Sequence, residues 1–140
     1  MAHPSGKVSL GGVLFLALLA GGVYAAAMFG PLYVDNFDVK DAVAVAHNRA
    51  AQGADDAQLR DTIIERTGRM GTHWETDKFD RDYVVPGLGL KPEQILIERS
   101  SVTPRVRIQV DYVRRVRLKP LDRVETVHFR VEKDGIPGQP

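Results

Sequence analysis

The sequence predicts an α+β fold carried on one transmembrane helix: an apolar N-terminal rod, a helical extension with a second helix, and a three-stranded antiparallel meander. Three observations predict it. Val8 to Phe29 (VSLGGVLFLALLAGGVYAAAMF) runs for twenty-two residues without a charge. Between Val39 and Met70 apolar residues recur at helical spacing. From Ile95 onward the period changes to two, the spacing of a strand with one buried face.

As a helix the first segment covers about 33 Å, against a hydrocarbon core of about 30 Å. Val8, Leu14, Phe15, Leu16, Leu19, Val23 and Phe29 are its expected lipid-facing anchor residues. Ala17, Gly21 and Ala25 recur every fourth position, a small-residue row along which a second helix can approach in lipid. A cleaved secretory signal is the rival reading, with Lys7 before an apolar Val8–Ala20 and Ala25-Ala26-Ala27 as a cleavage site. The apolar run continues past Ala27 and exceeds the length of about 7 to 15 residues usual for such a region, which favours a retained anchor. Lys7 and the amino terminus precede the anchor, whereas Asp35, Asp38 and Asp41 with one Lys40 follow it. That asymmetry predicts the N-terminus inside and the remainder outside the cytoplasmic (inner) membrane, in the periplasm of a Gram-negative cell. The expected division is therefore a cytoplasmic tail at 1–7, the anchor at 8–29, a soluble domain at 30–133 and a disordered tail at 134–140.

Gly30-Pro31 predicts a kink or short break, because proline cannot continue the helical hydrogen-bond ladder. Leu32, Tyr33 and Phe37 would lie near the membrane interface. Asp38 is expected to cap a new helix with Val39, Ala42, Val43, Ala46 and Ala50 on its apolar side; Lys40, Asp41, His47, Asn48 and Arg49 take the other faces. Gly53 would stop it. Asp55 or Asp56 should cap a second helix to about Thr67, packing through Leu59, Ile63, Ile64 and Met70, with Gly68 and Gly71 at its end. Thr72 to Pro92 has no clear period and reads as an ordered loop that buries Trp74, Phe79, Tyr83 and Leu90.

Ile95 and Ile97 begin a strand that turns at Ser100 to Pro104. Val106, Ile108, Val110, Tyr112, Val116 and Leu118 then alternate with polar residues. Only Val113-Arg114 breaks the pattern, as at a bulge or bend. Lys119 to Arg123 reads as a hairpin connection. The return strand presents Val127, Phe129 and Val131 on one side and Thr126, His128, Arg130 and Glu132 on the other. Lys133 to Pro140 reads as a frayed tail. Such a meander needs a helix over its apolar face.

Charge is unevenly placed. Residues 31–90 carry 7 basic and 11 acidic side chains, and residues 91–133 carry 11 and 6. Arg105, Arg107, Arg115, Arg117 and Lys119 line one strand face. They form either a solvated outer face that discourages edge pairing or a contact surface for anionic lipid, cell-wall polymer or an acidic partner. Nucleic acid is not an expected partner, because such binding needs clustered charge with stacking aromatics and access to nucleic acid, and the expected topology argues against that. No cysteine is present, so disulfides and thiolate chemistry are excluded. His3, His47, His73 and His128 lack zinc-helix spacing. His73 and Glu75 with Asp77, Asp80 and Asp82 read as an acidic solvated loop, since EF-hand spacing is missing. No catalytic, cofactor or metal site is expected.

The segments G-x-x-S-L-G-G-V-L-F from Gly6, P-L-Y-V-D-N-F-D-V-K-D-A-V from Pro31, and V-D-Y-V-R-R-V-R-L with the later V-H-F resemble the bacterial membrane-protein family called domain of unknown function forty-eight forty-five. The resemblance covers most of the chain and rests mainly on hydrophobic patterns. Its layout is similar to that of type IV pilins: apolar helix, helical extension, small antiparallel sheet. It implies no catalytic residues. Lys7 follows Gly6 where a prepilin has Phe, and Gly11 stands where a prepilin has Glu. The functional expectation is a non-catalytic, single-pass accessory or scaffold subunit whose partners are membrane lipid and a membrane or envelope protein. A pseudopilin-like assembly subunit and a secreted protein released near Ala27 are the alternatives.

Overall fold

A computed structural model describes residues 6–139. The expected N-terminal tail falls largely outside these residues, as do His3 and Pro140. The fold is α+β, as the sequence predicts. One helix, α1 (Leu10–Ala50), runs 41 residues, about 61 Å. Ser9 caps it by accepting a hydrogen bond from the Gly12 amide at 3.0 Å. A second helix, α2 (Asp56–Thr67), follows. Asp55 accepts from the Gln58 amide while Gln58 accepts from the Asp55 amide, a reciprocal capping box. The strands are β1 (Thr72–Thr76), β2 (Asp82–Pro86), β3 (Ile95–Arg99), β4 (Val106–Leu118) and β5 (Arg123–Gly135). β1 and β2 form a separate antiparallel hairpin, and β3-β4-β5 form the expected meander.

α1 does two jobs. No residue of its apolar stretch is buried within the chain. Its C-terminal half buries Leu32, Val39, Ala42, Val43 and Ala46. These meet Ile108, Val110, Tyr112, Val116, Phe129 and Val131 from the sheet and Leu59 and Ile63 from α2 in one core. The head thus folds around the second half of a helix whose first half is exposed up to Ala27.

The expected break at Pro31 does not occur, and Asp38 is an exposed residue within α1 rather than a cap. Proline inside a helix costs about 3 kcal/mol. Full burial of each large apolar side chain returns about 1.5–3 kcal/mol. Met28 and Phe29 before the proline and Leu32 after it all pack on the same core, which offsets that cost and keeps the helix continuous.

Thr72 to Pro92 is not a loop without strands. It contains the β1–β2 hairpin, in register from Thr72↔Pro86 to Thr76↔Asp82. Phe79 and Tyr83, expected to be buried, are 66% and 47% exposed. Short, mostly exposed strands that pair mainly with each other leave no apolar alternation to read. At the hairpin's base Gly71 has a φ of +56°, and a β-carbon there would meet the Asp35 carboxylate at 2.5 Å. Only glycine fits both constraints.

Val113-Arg114 is no bulge either. β4 and β5 pair without interruption from Val106↔Gly135 to Leu118↔Arg123. The alternation is intact, with an arginine on the core face. β5 also extends through Gly135 instead of fraying at Lys133, because its pairing with β4 continues to Val106↔Gly135; Asp134 also pairs with Arg105 at 3.1 Å.

Candidate functional site

Polar contacts at three levels fasten the sheet along α1, and sequence patterning points to none of them. At the end of the head farthest along α1, His47 is 1% exposed, not on a polar face. Its Nε2 lies 3.0 Å from the Val106 carbonyl and 3.2 Å from the Gly135 carbonyl, at the paired ends of β4 and β5. In the middle, the Arg114 guanidinium donates to the Asp35 carboxylate at 2.9 Å, with side chains only 8% and 18% exposed. Tyr112 donates to Asn36 Oδ1 at 2.9 Å beside this pair and stacks on Phe129, which meets Tyr33 edge-on. At the near end, the Tyr24 hydroxyl donates to the Lys119 carbonyl. As β4 advances from Val106 to Lys119, its α1 partners retreat from His47 to Tyr24. β4 therefore descends antiparallel to α1, and the β4–β5 turn reaches a residue of the apolar segment itself.

Of the expected anchor residues, Val8, Leu14, Phe15, Leu16, Leu19 and Val23 are all more than half exposed. Phe29 instead packs against the head. Ala17, Gly21 and Ala25 lie on the exposed half of α1, and nothing within 4 Å faces a β-carbon built at Gly21.

The basic strand face divides into two halves. Arg105 pairs with Asp134, and Arg107 pairs with Glu132 at 2.9 Å and Glu98 at 3.5 Å. The Glu132 carboxylate, reinforced by Glu98, raises the Arg107 pKa above its ordinary value. These two arginines are matched by acids on neighbouring strands. Nearer the turn, Arg115 and Arg117 lie over Trp74 of β1, at 5.9 and 5.0 Å from the ring centroid. Arg117 also lies 3.6 Å from Asp122, while Arg115 and Lys119 have no carboxylate partner among the described residues.

The acidic stretch is tied up within the β1–β2 hairpin. The His73 ring faces the Gly87 carbonyl and the Glu75 carboxylate, and Tyr83 donates to Glu75 at 2.8 Å. The His73 bond, then the Tyr83 bond, hold the Glu75 carboxyl below its ordinary pKa. Asp77 accepts from the Phe79 and Arg81 amides and closes the turn, while Asp82 accepts from Thr76. Among the described residues no group of three or more His, Asp or Glu side chains is placed to hold a metal ion.

The middle contact has a pH signature. Burial pushes the Tyr112 phenol up from 10.0 to about 12. The unfolded chain loses that proton first, so the folded state binds the extra proton between those limits. The resulting stabilisation is full below pH 10.0 and is lost as pH rises towards about 12. Tyr112→Phe should flatten the alkaline limb of melting temperature against pH. It should also lower stability at neutral pH by about 1 kcal/mol through the lost bond to Asn36. Circular dichroism melts of the detergent-solubilised chain across this range check both effects.

Comparison of the chain with protein-family models, curated proteins and solved structures finds no match.

Proposed function

We propose that the chain is a single-pass membrane protein, and that its α+β head is a non-catalytic accessory or scaffold module for a membrane or envelope complex. The observation that carries this reading is the division of α1. Its first half is apolar and exposed, and its second half is the spine of the head. Exposed apolar side chains along several helical turns are stable in lipid and costly in water. The charge asymmetry around the anchor supports an N-terminus inside and a head in the periplasm. The resemblance to the family called domain of unknown function forty-eight forty-five supports the same layout.

Cross-linking in native membranes followed by detergent purification tests this. A specific co-purifying membrane or envelope protein is expected. A strictly monomeric chain without a cross-linked partner would count against the scaffold reading.

The continuous α1 also favours a second reading, a pseudopilin-like subunit, because one helix serves both lipid and head. Mapping the mature N-terminus separates the two. Cleavage after Gly6 supports assembly of the pilin type, whereas an intact Met1 or Ala2 rejects it.

A further inference from the structure

We propose that the β4–β5 turn is a second point of membrane attachment, a foot that binds anionic phospholipid headgroups. This rests on the anchor reading above. Tyr24, five residues before the end of the charge-free segment, bonds to Lys119 in the foot. Phe29 lies only about 8 Å along the helix axis from Tyr24. The headgroup layer on each side of the hydrocarbon is about 5–7 Å deep. With Phe29 at the hydrocarbon edge, a turn fastened at Tyr24 lies on the acyl-chain side of the headgroup layer, and Arg117 and Arg115, about 7 and about 13 Å back along β4 from Lys119, stand at headgroup depth whenever α1 spans the bilayer.

The chemistry of the turn suits that depth. Leu121 is 73% exposed at its tip and Val124 is 43% exposed. Around them stand Arg115, Arg117, Lys119 and Arg123; Arg117 pairs with Asp122 and Arg123 with Glu125, which leaves Arg115 and Lys119 without a carboxylate partner among the described residues. The leucine at the apex inserts among acyl chains while the flanking cations reach phosphates. The matched ion pairs of Arg105 and Arg107 at the opposite end of the face leave that end without the same excess of unpaired cations. Trp74 beneath Arg115 and Arg117 holds those two guanidiniums on the turn side of the head.

The chain contains no cysteine, so a single introduced one can be labelled uniquely. Leu121→Cys and Val102→Cys, the latter in the β3–β4 turn at the opposite end and 90% exposed, would each carry an environment-sensitive fluorophore in the full-length chain. The chains are reconstituted in vesicles of phosphatidylcholine alone or mixed with phosphatidylglycerol, with brominated acyl chains as quenchers. The position-121 probe should be quenched and blue-shifted with phosphatidylglycerol, and the position-102 probe should not. In the Leu121→Cys background, Arg115→Gln and Lys119→Gln should each shift the tip's bound-to-free ratio about fivefold towards free. An unquenched position-121 probe on a chain that floats with the vesicles overturns the foot and leaves the anchor intact. Quenching equal in both lipids, and unchanged by the two charge substitutions, overturns recognition of anionic headgroups. A chain that fails to float overturns the anchor, and the foot with it.

Discussion

Asp35→Ala is expected to destabilise the head by about 3 kcal/mol, because it leaves the Arg114 guanidinium buried without its counter-charge. Arg114 is 8% exposed and sits on the core face of β4, so it has little route to water. The lower end of the range for broken buried pairs is appropriate, since Asp35 keeps 18% exposure. For a domain of this size the melting temperature should fall by on the order of 10 °C or more. The compensating change is equally informative. Replacing both partners by apolar residues, Asp35→Leu with Arg114→Met, should recover most of the loss, because neither charge is then stranded. Thermal melts of the sheet signal in detergent measure both variants. A loss below about 1 kcal/mol for Asp35→Ala would mean that the pair is hydrated and does not fasten the sheet to α1.

Charging the exposed half of α1 should have the opposite pattern of effects. Leu16→Asp with Leu19→Asp adds about 3 kcal/mol of insertion cost per residue near the middle of the apolar segment. Most of the protein should then move from the carbonate-resistant membrane pellet to the soluble or degraded fraction. The head should be unaffected, since Leu16 and Leu19 are 63% and 54% exposed and lie outside the buried core. The melting temperature of the head's sheet signal should stay where it is in the parent chain. Unchanged membrane retention would show that the segment is held by something other than lipid.

The parts of the fold that were legible in the sequence are those where one period governs a whole element. The charge-free run from Val8 to Phe29, the helical spacing of Leu59, Ile63 and Ile64, and the alternation of Ile95 to Val131 each repeat one physical rule several times. The parts that were not legible depend on single residues answering to distant ones. Arg114 looked like a pattern error because its partner, Asp35, is 79 residues away. His47 looked polar for the same reason: its carbonyl partners lie in β4 and β5. Pro31 suggested a break because local backbone cost is visible in sequence and the burial that outweighs it is not. The β1–β2 hairpin escaped because its strands are short and mostly exposed, so no hydrophobic alternation marks them. The basic face was visible as a row of residues. Its division into a neutralised half and a turn half in which Arg115 and Lys119 lack a carboxylate partner among the described residues follows only from where Glu98, Glu132, Asp134 and Asp122 fall.

The Asp111 carboxyl on the outer face is held below its ordinary pKa by Arg130 and then by Gln109. Its contribution is present above the unfolded carboxylate range and is lost as pH falls through the folded value. The sheet should therefore lose stability on the acid side through Asp111 and on the alkaline side through Tyr112.

Whether the apolar half of α1 crosses the bilayer with the head on the outer side is tested most directly by one labelling measurement. Ser101→Cys, in the exposed β3–β4 turn, is treated with a membrane-impermeant maleimide in intact spheroplasts, and the membranes are then washed with carbonate. The account predicts labelling before lysis on a chain that stays in the washed membrane pellet. Labelling only after lysis, or a labelled chain released into the aqueous extract, would contradict it.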